Sequence, residues 1–332
     1  IWLGLVGSEM CIRDRNVAVF LSQWRDSSTR QASYDQLSAR VAAALDVPNN
    51  IGGLIPDAIG ACSTFVDLER AVANGLRDML LDNKAKGVAA DIRRIANARI
   101  EGYWATTRCG DTDVGRRSIW RSYYRALLAA TELFALIDAQ AGDFSFTSPA
   151  DAYTAYTDSL YRVDQLYRQF HESADAVSGR YPDAMAPLDE QVENRYLNGF
   201  LAKLATHWDG HLKNGLLKSW TIPGIANQQD FYAGTVAPYL KGGDERRMFV
   251  IISDALRYEV AEELKAQINS RERVQATLGS HLGVLPSYTR LGMASLLPHQ
   301  TLAYTEKAAV LADGQSTDGL ENRSKQLAKV GG

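Results

Sequence analysis

Cysteine is scarce in this chain of 332 residues: there are three, Cys11, Cys62 and Cys109. Their spacing fits no metal-ligand motif and speaks against a disulfide framework, which points to a reducing cytoplasm. No window approaches the ~20 consecutive apolar residues needed to span a bilayer, so a membrane role is not expected. A strong charge of either sign is missing as well. The formal net charge is −3, which argues against a broad nucleic-acid-binding surface while leaving room for a local patch. The sequence also has no internal repeat and no low-complexity tract. What is present is the composition of a soluble globular protein, 46% hydrophobic and 23% charged. The length suffices for two domains with sizeable cores.

The chain does not open on a methionine, and the words Ser8-Glu-Met-Cys-Ile-Arg-Asp14 resemble translated sequencing-adapter read-through. A signal peptide would need a basic start and a longer apolar core, which Ser8-Glu9 interrupts. Residues 1–15 are therefore set apart from the fold, and the chain reads as an internal fragment.

From residue 16 to about 240 the pattern is helical. Val88, Ile92, Ile95 and Ala96 recur at helical spacing, with Arg93, Arg94 and Arg99 on the other faces. Tyr123, Leu127, Ala130, Phe134 and Ile137 continue the theme. Ser148-Pro149-Ala-Asp151 has the N-cap serine, N1 proline and N3 carboxylate of a helix start. After it, Tyr153, Tyr156, Leu160, Val163, Tyr167 and Phe170 form a stripe spaced by three and four. Val192, Tyr196, Phe200, Leu204 and Trp208 form another. Such stripes are read as helix-packing faces.

Past Gly243 the pattern changes to strand and helix in alternation, over 247–253, 255–268, 274–279, 289–297, 307–311 and 317–328. Alternation of this kind predicts a parallel, doubly wound sheet with right-handed crossovers. The richest stretch is Met248-Phe-Val-Ile-Ile-Ser-Asp254-Ala-Leu-Arg257, an apolar run ending on a carboxylate. Open α/β sheets place their ligands at such strand ends. Some thirty residues on, Leu285-Pro-Ser287-Tyr-Thr289-Arg290-Leu-Gly292 opens a short helix with hydroxyls. A carboxylate and a hydroxyl so placed suit metal-assisted phosphoryl chemistry. The plain alternative for Asp254 is a helix N-cap. Arg257 and Arg290 could each grip phosphate bidentately or form an ordinary ion pair.

These words, together with Asp313-Gly-Gln-Ser-Thr317, resemble the PglZ family, the phosphatase component of BREX phage-defence systems, in its type A branch. The family belongs to the alkaline phosphatase superfamily. The resemblance implies that residues 241–332 are part of an alkaline-phosphatase-like domain, preceded by the helical region 16–240. It implies two divalent metals, commonly zinc, with Asp254 as the first ligand and Thr289 as the nucleophile, itself metal-coordinated, ahead of Ser287. The superfamily's later aspartate–histidine ligands have no counterpart before Gly332, so the fragment by itself is expected to be inactive. The implied activity is that of a metal-dependent phosphatase, phosphodiesterase or nuclease. The implied partners are other BREX proteins and DNA or another phosphoester. The rival function is a non-catalytic scaffold within a defence complex.

Elsewhere, His207 and His211 stand four apart, but no catalytic glutamate accompanies them. His281 and His299 fit no ligand motif. The 313–318 stretch resembles a turn capping the last helix.

Overall fold

Apolar side chains three and four residues apart make one sticky face per helix, and three such faces meet in the N-terminal half. The computed structural model describes residues 9–51, 56–60, 62–82, 87–106, 118–140, 144–241, 247–271 and 273–330, with side chains from residue 15 onward. Helices Val66–Asp82, Val88–Ile100 and Ile119–Ala139 pack on one another. Val72, Leu76, Ile92, Ala96, Leu127 and Ala130 are fully buried between them. The expected face of Tyr123, Leu127, Ala130, Phe134 and Ile137 is buried throughout.

Arg99 departs from the expected pattern. It is buried rather than outward, with its Nη1 2.8 Å from Glu69 Oε1. The same guanidinium donates to the carbonyls of Cys62 and Gly60. Tyr124 donates to the other Glu69 oxygen. A buried guanidinium is tolerable only when its donors are satisfied in this way.

The chain divides into two compact units, one of Ile1–Ala141 with Leu166–Gly199 and one of Gly142–Gln165 with Phe200–Gly332. These units do not follow the 240/241 boundary read from the sequence. The suggested leader meets helix Glu9–Arg25, which runs across residue 15 without a break. Trp2, Leu3 and Leu5 lie outside the described residues.

In the second unit Ser148 caps helix Pro149–Ala155, accepting the Asp151 backbone N–H at 3.1 Å. The helical path continues through a wider turn at Tyr156–Leu160 into Tyr161–Ser178, whose residues from Leu166 onward belong to the first unit. Leu216, Ile222 and Leu282 form a small core with Trp208 and Trp220 against it. A second cluster joins Leu291, Ala294 and Val310.

The sheet differs from the expected one. Its three strands, β1 (Leu302–Tyr304), β2 (Val310–Ala312) and β3 (Gln315–Ser316), lie in the order β1-β2-β3 and pair antiparallel. The expected parallel, doubly wound sheet is not seen among the described residues. The segments 247–253 and 274–279 carry strand-like sequence but join no ladder. The physical reason is pairing. A strand is held by hydrogen bonds to a neighbour, and no described strand runs beside either segment. Phe249 and Ile251 are accordingly 86% and 92% exposed.

Candidate functional site

Asp254 sits in a sharp turn, not at a helix start. Its Oδ1 accepts the backbone N–H of Ala255 at 3.1 Å. Ala255 has φ of +57°, a left-handed conformation that non-glycine residues rarely adopt. The helix that follows is Tyr258–Asn269, with Arg257 in the N-cap position. The N-cap reading of Asp254 is therefore corrected: the backbone turns once more before the helix begins, which leaves the carboxylate exposed on the turn.

Thr289 is the first residue of helix Thr289–Ser295. Its Oγ1 donates to Asp254 Oδ2 at 3.1 Å, across 35 residues of chain. The helix is seated by Leu291 and Ala294 on Val310. Gln228 ties down its first turn, donating to the Gly292 carbonyl at 3.2 Å. A Cβ added at Gly292 would meet Gln228 at 3.6 Å, an ordinary contact, so close packing does not require glycine there. Ser287, the rival hydroxyl, is exposed and makes no side-chain hydrogen bond among the described residues.

The two arginines differ. Arg257 Nη2 lies 3.3 Å from Asp164 Oδ2, and its Nε lies 3.6 Å from Glu259 Oε1. Both carboxylates are buried. Tyr156 donates its hydroxyl to Asp164, and burial, with help from that carboxylate, pushes the Tyr156 pKa up. Tyr258, next in sequence, donates to the Thr157 carbonyl at 3.2 Å and sets its ring edge on Tyr161. The turn bearing Asp254 is thereby fastened to the 156–165 segment. Asp164 and Tyr156 escaped the sequence reading, although one signal was available. Asp164 follows Leu160 by four and adjoins Val163, which puts an acid beside the apolar stripe. Arg290 is looser, with its Nε 3.7 Å from Asp318 Oδ1 and 57% of its side chain exposed.

Asp313 is structural. Its Oδ1 accepts the backbone N–H groups of Thr301 and Gln300, each at 2.9 Å, and these bonds hold its pKa below the usual carboxylate value. The cap position of the last helix belongs to Asp318. His299 Nδ1 lies 2.7 Å from the Leu297 carbonyl, and His281 meets the Phe231 ring edge-on. No group of three or more His, Cys, Asp or Glu able to hold a metal occurs among the described residues, the His207–His211 pair included. No helix there is long and apolar enough to cross a membrane.

A family model described as the BREX system PglZ alkaline phosphatase-like domain matches residues 231–331. Over 316 residues the chain is 35% identical to the alkaline phosphatase-like protein BrxZ of Escherichia coli O9:H4 (strain HS), covering 94% of this chain and 36% of that protein. Over 315 residues it is 31% identical to the alkaline phosphatase-like protein PglZ of Bacillus cereus (strain H3081.97), covering 95% and 35%. The chain thus spans about a third of the length of the curated relatives it matches. No solved structure matches it. With its motifs inside the matched domain and both relatives aligned along nearly all of its length, the chain belongs to the PglZ family of BREX systems.

Proposed function

We propose that Asp254 and Thr289 begin a divalent-metal phosphoryl-transfer site, with Asp254 as a metal ligand and Thr289 as the nucleophile. The observation that carries this reading is the 3.1 Å approach of Thr289 Oγ1 to Asp254 Oδ2 on an exposed turn. Two oxygen donors so close suit a shared divalent cation, and likeness to the family favours zinc. The fit is partial, because no group of three or more His, Cys, Asp or Glu able to hold a metal occurs among the described residues. Such an ion, when bound, would stabilise negative charge on the reacting oxygens.

The residues themselves do the rest. Asp254 orients the threonine hydroxyl by accepting its proton in a hydrogen bond. Arg290, well exposed beside Thr289, takes the phosphate-binding role. Arg257, engaged by Asp164 and Glu259, braces the turn from which Asp254 projects. With neighbouring strands alongside, residues 248–252 would join a doubly wound parallel sheet of the alkaline-phosphatase type. The substrate class is a phosphoester, DNA among the possibilities, and the setting is a cytoplasmic BREX complex. The 332-residue chain alone should turn over nothing, since two donors hold zinc weakly.

The test is retention of zinc after dialysis by the protein at the length of its relatives. Asp254→Asn should lower affinity at least about tenfold, within the range seen for perturbed metal sites. Unchanged affinity would remove Asp254 from the ligand set. A second reading, a docking scaffold for other BREX proteins, is favoured by one observation. Both relatives align across the helical residues that precede the matched domain.

A further inference from the structure

In the first unit, helices Val66–Asp82 and Pro182–Asn194 border a cleft of about 450 Å³. Three guanidinium groups line it, those of Arg70, Arg77 and Arg180, against one lining carboxylate, Asp183. Arg77 is accounted for, since its Nη2 lies 2.7 Å from Asp78 and its Nη1 donates to the Ala184 carbonyl at 2.9 Å. Arg70 and Arg180 have no carboxylate within ion-pair distance among the described residues. Instead both lean on one ring. Arg70 Cζ lies 5.1 Å and Arg180 Cζ 5.9 Å from the Tyr181 centroid. Arg70 also donates to the Tyr181 hydroxyl at 3.4 Å.

Two like charges gathered on one side chain repel, and a ring face offsets little of that repulsion at an exposed site. An anion between them would offset far more. Asn74 points the same way. Its Oδ1 accepts from Tyr123 at 2.8 Å, while its amide N–H groups have no partner among the described residues. Tyr123 itself is pinned and buried.

The geometry points to a phosphate-binding cleft that takes a phosphate ester of about nucleotide size, held by Arg70, Arg180 and Asn74. Guanidinium forks match phosphate oxygens bidentately, and the volume exceeds what a lone phosphate ion fills while lying in the range of small-molecule pockets. The aromatic wall does not read bases. Trp120 is buried and stacks on Tyr181 at 5.9 Å, and the two arginines crowd the same tyrosine. Recognition is therefore through phosphate groups, carried either by a free nucleotide or by a single-stranded nucleic acid backbone. This inference does not depend on the roles given to Asp254 and Thr289.

The experiment is calorimetric titration of the 332-residue chain with inorganic tripolyphosphate, ATP, a twelve-residue oligothymidylate and a glutamate dodecapeptide. Tripolyphosphate and ATP should compete for one site. Arg70→Glu with Arg180→Glu should weaken that binding at least about tenfold, the loss of two charge-assisted contacts. Arg30→Glu with Arg40→Glu, the same charge change at the start of and within helix Gln31–Ala44, should not. Arg70 and Arg180 are exposed, so folding should survive, and Arg70→Gln with Arg180→Gln checks this with a milder change. ATP bound in preference to the oligonucleotide identifies a free nucleotide as the source, and the reverse order a nucleic acid strand. No binding of tripolyphosphate, an equal loss in both double variants, or tighter binding of the glutamate peptide would overturn the proposal.

Discussion

Ile92 and Ile251 are the same residue in two different situations. Ile92, in the helical unit, is fully buried, whereas Ile251, in the segment leading to Asp254, is 92% exposed. Both belong to apolar patterns, one spaced for a helix face and the other a continuous run. The difference is the company each pattern finds. Helix Val88–Ile100 closes its own backbone hydrogen bonds and needs only a facing helix, which Ile119–Ala139 supplies. A strand-like run closes nothing by itself. An apolar pattern therefore guarantees burial only where its pairing partner is present.

The strongest way to stress the buried side of this comparison is Glu69→Ala. It leaves Arg99 charged and unpaired in the core, which should destabilise the first unit by about 3–5 kcal/mol in urea unfolding. Ile92→Ala should follow at about 2–5 kcal/mol, while Ile251→Ala should stay within about 0.5 kcal/mol. Equal losses at the two isoleucines would break the comparison. Ala255→Gly should stabilise the turn by about 0.5–1 kcal/mol, because glycine accepts the left-handed conformation without strain.

A pH experiment sharpens the same contrast. Burial pushes the Tyr123 hydroxyl up to about 12, so the folded unit favours its neutral form. That contribution is fully present below the ordinary tyrosine value near 10 and is lost as pH rises to about 12. Tyr123→Phe should flatten the alkaline fall in stability, with Tyr124 still contributing to what remains.

Local signals were legible in the sequence, and distant ones were not. The Ser148 cap and the Tyr123-to-Ile137 face are both read from residues three or four apart. Arg99 was misplaced because its partners, Glu69 and the Gly60 and Cys62 carbonyls, stand 30 to 39 residues away. The ion pair of Arg257 with Asp164 was not foreseen because Asp164 comes from far upstream. At the candidate site, the two residues singled out by wording stand within a hydrogen bond of each other. The left-handed turn at Ala255, which denies Asp254 the N-cap position, had no signature in an Asp-Ala-Leu sequence. The antiparallel sheet was missed because alternating strand and helix words describe local preference, while strand direction depends on which neighbours arrive.

The central claim is that Thr289, and not Ser287, is the reacting hydroxyl beside Asp254. The direct measurement is zinc- or manganese-dependent hydrolysis of an aryl phosphate and an aryl phosphodiester by the protein at the length of its relatives, comparing Thr289→Ala with Ser287→Ala. Loss of a nucleophile should lower turnover at least about a thousandfold in Thr289→Ala, while Ser287→Ala keeps most of it. Metal-dependent turnover that survives Thr289→Ala, or that falls instead with Ser287→Ala, would contradict the account.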